Sequence, residues 1–354
     1  MPSRVTAPPP AVAPPAGAPP RTMSLADVAA LAGVSPGTVS RALSRPQMLS
    51  AETRERVLEA AARLGYVANG AARALAMRRT FTVGAVVPRF GSSSFPTLIQ
   101  SLEATLGEAG YTLLLAAPDH ARADEPVLLR RLIERGVDAV ALLGTEHAPA
   151  VFSLLAAHRL PCVMMWGEPA QADSVGFDET AAAALAVEHL AGLGHRHLAF
   201  IGGRTSDNER ARRRFAGVLA AVARHGLHLA EAARIETDYG QREGYDAMQQ
   251  LLQRRLPVSA VICGNDYLAM GALSALDRAG VAVPARMSVA SFNDNDFAPF
   301  LHPPLTTVRI PIRAIGEAAA RLLLARLRGE PVPPLQPLAV ELVVRESTAA
   351  AQGL

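Results

Sequence analysis

Residues 31–43 read LAGVSPGTVSRAL, an apolar turn closed by glycine, then a serine-proline pair that opens a run of hydroxyls and an arginine. Ser35 is a good helix cap, and Pro36 suits a first helical position, where its missing N–H costs nothing. A helix from Pro36 to about Ser44 follows, with Val34 and Val39 facing inward and Pro36, Gly37, Thr38, Ser40, Arg41 and Arg45 left on the outer face. Upstream, Ser24 caps a helix whose Leu25, Val28, Ala29 and Ala32 recur at helical spacing, and Gly33 ends it. Downstream, Ser50 begins a third helix, with Val57, Leu58, Ala61 and Leu64 as one apolar stripe and Gly65 as its stop. In a helix-turn-helix the start of the second helix reaches the base edges of DNA, where small hydroxyl side chains and an arginine fork have a direct use. A three-helix bundle with no DNA role fits the same pattern, so the flanking sequence has to decide.

The charge distribution leans toward DNA. All 35 basic residues are arginine; residues 1–80 hold ten of them against four acids, whereas the remainder holds 25 against 28. A basic head on a mildly acidic body is the electrostatic footprint of a nucleic-acid-binding module. Residues 1–22 are so rich in proline and alanine that neither a helical core nor a secretion signal fits, and they read either as a disordered leader or as a misassigned start, with Met23 then the first residue. Two cysteines, Cys162 and Cys263, make neither a disulfide framework nor a zinc motif and suit a reducing, cytoplasmic setting. Apolar runs stay well below the roughly 20 residues of a membrane span, so a soluble protein is expected.

From Phe81 onward, short apolar runs alternate with helical stretches. The runs are TVGAVVP (82–88), YTLLLAA (111–117), DAVALLG (138–144), PCVMMWG (161–167), HLAFIGG (197–203), SAVICGN (259–265) and MSVASFN (287–293). Helical segments are expected over 125–135, 179–193, 208–225 and 267–279. Such alternation predicts parallel sheets of buried strands covered by helices, and its recurrence across two halves predicts two similar lobes. Ligands of such sheets bind beyond the carboxyl ends of the strands. That rule singles out Pro88, Arg89 and Phe90, then Trp166, residues 204–208, Asn265 with Asp266, and Asn293 with Asp294. Asp266 is equally well placed to cap the helix that begins at Tyr267.

The stretch SLADVAALAGVSPGTVSRAL (24–43), followed by LSAETRERVLEAAARLGYVANGAARAL (49–75), resembles the signature of the LacI/GalR family of bacterial transcription regulators. The resemblance runs from about Ser24 to the C-terminus. It implies an all-α helix-turn-helix head (23–68), a hinge helix (69–80) and a two-lobed α/β body of the periplasmic-binding-protein type (81–350), behind the leader 1–22. It also implies that Pro36, Gly37, Ser40 and Arg41 touch bases or nearby phosphates, that Thr38, Arg54 and Asn69 lie near the DNA backbone, and that Ser35 belongs to the same DNA-binding set. Leu75 matches the leucine that paired hinge helices wedge into the minor groove, a kink whose cost of a few kcal/mol other contacts must offset. An isolated helix this short is marginal in water and should order on binding. The family usually carries proline just before Asn69; Ala68 stands there, which leaves the hinge entry less rigid.

In the body, the resemblance makes Arg214 the arginine that grips a ligand hydroxyl or carboxylate, its fork suiting either. It assigns Asn265 and Asn293 to pocket positions, the latter often aspartate in sugar-binding members, and Tyr239 to a ring that stacks on ligand. Trp166 replaces a residue that is often polar, and Arg89 and Phe90 complete the set. Arg212 and Arg213 are expected as solvated or interface charges. The tail HPPLTTVRIPIRAIGEAAARLLLARLRGE (302–330) is closest to the gluconate-repressor branch, which implies a sugar acid as effector. No leucine heptads follow, so a homodimer on operator DNA is expected.

Other classes fit less well. The sequence carries no G-x-S-x-G elbow, phosphate loop or H-E-x-x-H helix, so no enzyme, cofactor or metal is expected. His195 and His197 of GHRHLAF read as turn and exposed residues. A solute-binding protein would share the body but lack the head. A purine-type regulator, whose ligand promotes DNA binding, remains the alternative within the regulator class.

Overall fold

The computed structural model describes residues 23–44, 46–77, 79–87, 94–117, 124–167, 173–332 and 335–352. Arg45, Arg89, Phe90 and the leader lie outside them. The chain divides into two compact units, residues 1–80 and 81–354.

Among the described residues the first unit holds four α-helices, α1 (Leu25–Ala32), α2 (Pro36–Ser44), α3 (Ala51–Leu64) and α4 (Gly70–Met77). Local chemistry sets their ends. Ser24 and Asp27 form a reciprocal capping box on α1, Ser50 caps α3 through the Thr53 N–H, and Gly33 and Gly65 close their helices in the left-handed region. The core is small: Val28, Ala29, Ala32, Val39, Ala42, Val57, Ala60 and Ala61. Leu58, expected in the stripe of α3, is instead 46% exposed, and Ala60 takes the inward position beside Val57 and Ala61. With α1 and α2 both packed on α3, the small side chain lets the helices approach where a leucine would hold them apart.

The second unit contains two sheets. The first lobe is built from β1 (Thr82–Val86), α5 (Phe95–Glu108), β2 (Thr112–Ala116), α6 (Glu125–Glu134), β3 (Ala139–Leu143), α7 (Pro149–His158), β4 (Cys162–Met165) and β5 (Ser174–Val175). Its strands run parallel in the order β2-β1-β3-β4-β5. The second lobe is built from α8 (Glu179–Gly192), β6 (Leu198–Gly203), α9 (Glu209–Arg224), β7 (Arg234–Thr237), α10 (Gln241–Gln253), β8 (Ala260–Cys263), α11 (Asp266–Arg278), β9 (Ser288–Asn293), β10 (Thr306–Arg309) and β11 (Glu341–Val343). Its order is β11-β10-β9-β8-β6-β7, parallel except for β11. Helix α12 (Ile312–Arg328) returns to the first lobe and packs on α5. Gly316 permits that approach, since a β-carbon there would sit 2.4 Å from the Leu98 carbonyl oxygen. The chain thus crosses between lobes after β5, after β10 and before β11.

Six of the seven apolar runs form buried strands. The exception is β2, an edge strand with Leu114 and Leu115 exposed; it pairs on one side only, which leaves half its apolar residues uncovered. Strands β5, β7, β10 and β11 have no apolar run long enough to announce them.

Candidate DNA-reading face and ligand cleft

On α2, the Thr38 N–H donates to Ser35 Oγ at 3.2 Å, and the two hydroxyls lie 2.9 Å apart. The cap expected at Ser35 is therefore formed. Pro36, Gly37, Ser40 and Arg41 are exposed and Thr38 is half-buried, so the start of α2 presents a low surface with one long cation. Arg41 Nε donates to the Gly37 carbonyl at 3.1 Å, which lays the guanidinium along its own helix. Arg54 is exposed on α3. Asn69 Oδ1 accepts the Ala71 N–H at 2.9 Å and so starts α4, on which Leu75 is 84% exposed.

In the second unit the polar ends of the strands gather arginines and carboxylates. Glu179, the first residue of α8 behind the Asp178 cap, is buried and receives Arg214 as a fork: Nε on Oε2 and Nη2 on Oε1, each at 2.9 Å. Trp166 Nε1 donates to the same Oε1 at 3.1 Å, and Arg214 Nη1 donates to the Gly264 carbonyl. The Arg214 guanidinium also lies 4.6 Å from the Phe292 ring centroid. Burial works against its charge, but the neighbouring Glu179 outweighs this and holds Arg214 above the ordinary arginine value. Trp166 and Asn293, at the ends of β4 and β9, take φ values of 62° and 109°, conformations that non-glycine residues adopt only when their surroundings impose them.

Tyr239 packs against Gly203, where a β-carbon would run into the ring, and beside Gly264, whose carbonyl Arg214 holds. Asn265 caps α11 through the Leu268 N–H at 2.8 Å. The cap expected at Asp266 is not formed. Asp266 is fully buried and accepts from Thr307 Oγ1 (2.7 Å), the Asn295 N–H (2.7 Å), Asn295 Nδ2 (2.9 Å) and the Ser291 hydroxyl. Asn293 is buried, its Oδ1 has no partner among the described residues, and it lines a cavity of about 600 Å³ with Asp294, Asn295 and Arg309. That cavity does not include Trp166, Arg214 or Tyr239.

Besides the bond from Trp166 to Glu179, further contacts tie the lobes together at this level. Ser94 Oγ donates to Asn295 Oδ1 at 2.9 Å. Glu209, the first residue of α9, accepts the N–H groups of Thr145 and Glu146 at 2.9 Å each, together with the Thr145 hydroxyl. Arg212 pairs across the lobes with Glu146, whereas Arg213 pairs within α9 with Glu209, four residues back. His195 is not exposed as expected: it is 2% accessible, with Nδ1 2.8 Å from Ser259 Oγ and Nε2 3.0 Å from Ser288 Oγ. His197 is half-buried and stacks on His228. Among the described residues no group of three or more His, Cys, Asp or Glu is placed to hold a metal, and no helix is long and apolar enough to cross a membrane.

Residues 24–69 match the family model for bacterial regulatory proteins of the lacI family, and residues 187–348 match the periplasmic binding protein-like domain. The chain is 33% identical over 308 residues to the HTH-type transcriptional repressor PurR of Erwinia tasmaniensis, covering 86% of this chain and 90% of that protein. The chain belongs to the LacI family. Its identity to the HTH-type transcriptional regulator MalR of Streptomyces coelicolor is 35% over 342 residues, covering 94% of this chain and 98% of that one. A lac repressor dimer solved on operator with the anti-inducer ONPF superposes with a TM-score of 0.84 at 27% identity, over 93% of this chain and 100% of that one. This LacI-family chain is a DNA-binding transcription regulator, not an enzyme. Its helix-turn-helix head and two-lobed body are those expected from residues 31–43 and the alternating runs. The branch within the family is not decided by these likenesses.

Proposed function

We propose that this regulator is a cytoplasmic homodimeric repressor whose body binds a small sugar acid of the gluconate type and whose head releases operator DNA in response. The head spans 23–68, the hinge 69–80 and the effector body 81–350. Ser35, Pro36, Gly37, Thr38, Ser40, Arg41, Arg54 and Asn69 face the DNA, and Leu75 enters the minor groove. Trp166, Arg214, Tyr239, Asn265 and Asn293 serve the ligand, together with Arg89 and Phe90.

The observation that carries the ligand class is the arginine-rich start of α9 at the strand ends, with Arg214 held between Glu179 and the Gly264 carbonyl. An arginine has five N–H donors; three are used here, and two remain for ligand hydroxyls. A ligand acts on DNA only through a difference in its affinity for two arrangements of the lobes. The test is a thermal-shift screen of sugar acids, neutral sugars and purines, followed by operator binding with and without each hit. Release of operator by an acid supports the reading; tightening by a purine replaces it with co-repression.

A further inference from the structure

Four arginines stand between residues 210 and 214 at the start of α9. Three have partners. Arg212 donates to the Thr205 carbonyl at 3.1 Å and to Glu146, Arg213 pairs with Glu209 at 3.0 Å, and Arg214 forks onto Glu179. Arg210 is partly buried and, among the described residues, makes no hydrogen bond or ion pair. Its guanidinium stands 5.6 Å from the Phe95 ring centroid at the start of α5, and its Nη1 fills the space over Gly144, 3.1 Å from where a β-carbon would be. It therefore reaches from the second lobe to the first.

Glu179 and Glu209 hydrogen-bond or pair with Arg214 and Arg213, and they act on Arg210 only through charge, without a hydrogen bond. Burial lowers Arg210 below the ordinary arginine value, as expected of a cation whose neighbours supply no acceptor. A phenylalanine face at that distance returns little of the lost hydration. Its side chain is only partly buried, between the start of α5 and Gly144. Arg210 also stands in the first turn of α9, where the helix dipole favours a negative charge.

We propose that Arg210 reads the ligand's charge: it takes the carboxylate or phosphate of a small polyhydroxylated anion, while Arg214, already neutralised by Glu179, faces its hydroxyls. This assignment rests on the effector reading above and moves the charge-recognising role from Arg214 to a residue the family resemblance did not single out.

The experiment measures melting and calorimetric binding of the full chain with D-gluconate, D-glucose 6-phosphate and D-glucose, for the wild type, R210K and R210Q. The wild type is expected to bind one of the two anions and not D-glucose, and the anion bound tells carboxylate from phosphate. R210Q is expected to bind that anion about ten- to a hundredfold more weakly, the loss of a charge-assisted contact, with R210K between. Without ligand, R210Q should melt no lower than the wild type, because a cation without a hydrogen-bonded acceptor has been removed. A merely structural arginine would lower it. Equal anion binding by R210Q, preference for D-glucose, no anion binding by the wild type, or a less stable unliganded R210Q would each overturn the assignment. Wild-type binding to operator against scrambled DNA is measured alongside. With specific operator binding retained, equal anion binding by R210Q or a less stable unliganded R210Q removes only the role of Arg210, whereas preference for D-glucose or no anion binding by the wild type removes the sugar-acid reading as well. Absence of specific operator binding removes the regulator reading.

Discussion

The Arg214 guanidinium and the Glu179 carboxylate form a two-point ion pair, both contacts at 2.9 Å and both side chains 6% accessible. An exposed pair of this kind would contribute little. A buried one is costly to break from one side, because the remaining charge has no water to return to. Glu179→Ala is therefore expected to destabilise the second unit by about 3–5 kcal/mol in urea denaturation. Replacing Glu179 and Arg214 together by methionine should cost far less. Equal losses for the single and double variants would mean that the pair is not the source.

Arg41 is exposed and bonded only within its own helix, so Arg41→Ala should leave stability within about 0.5 kcal/mol. The same change is expected to remove about 1–3 kcal/mol of discrimination between operator and scrambled DNA in gel-shift titrations, while the ligand response stays intact. Arg54→Ala should act differently, weakening both DNAs alike and lowering the salt slope by about one, as loss of a phosphate contact does. A variant of Arg41 that loses ligand response together with specificity would contradict the separation of roles.

Leu75 is 84% exposed on an eight-residue helix. So large an apolar side chain on so short a helix has no folding role within one chain, and a helix of that length is marginal alone. Leu75→Ala should leave the melting temperature unchanged and reduce operator affinity and bending, both measurable by gel shift on circularly permuted fragments. Unchanged bending would remove Leu75 from the groove.

How far the sequence reached depended on how local each cause was. Caps at Ser24, Ser35 and Ser50 act within three residues, and all three were legible. Leu58 was misplaced because a helical period gives an arc, and only the neighbouring helices decide which edge of the arc they cover. The strand RIET of β7 was invisible because its charged residues bond to one another and to Thr205, while TTVR of β10 buries threonines that hydrogen-bond inside the core. Glu179 was read only as a helix start. Its partner lies 35 positions away, and nothing local marks such a pairing. The choice of Asn265 over Asp266 as cap turns on one residue of register, set by Asp266 being drawn into the donors of Ser291, Asn295 and Thr307.

Glu209 gives the pH dependence. Burial pushes its carboxyl up, but the Thr145 hydroxyl, the N–H groups of Thr145 and Glu146 and the charge of Arg213 together hold it below the ordinary value of 4.5. A carboxyl lowered in the folded state binds protons more readily when unfolded, so its contribution is complete above 4.5 and is lost as pH falls through the depressed folded value. Because these donors come from the first lobe and Glu209 from the second, the loss falls on the contact between lobes. Glu209→Gln should cost about 1–3 kcal/mol at neutral pH, since an amide cannot satisfy three donors and an arginine as a carboxylate does. In urea titrations between pH 7 and pH 3, the gap between wild type and E209Q is expected to narrow once pH drops below 4.5. His189, half-buried, and His195, buried, are both held below the ordinary imidazole value by desolvation, so they also weaken both proteins as pH falls below 6.5, and the difference curve is the quantity to read. A gap that stays constant across the range would mean that Glu209 does not hold the lobes through its charge.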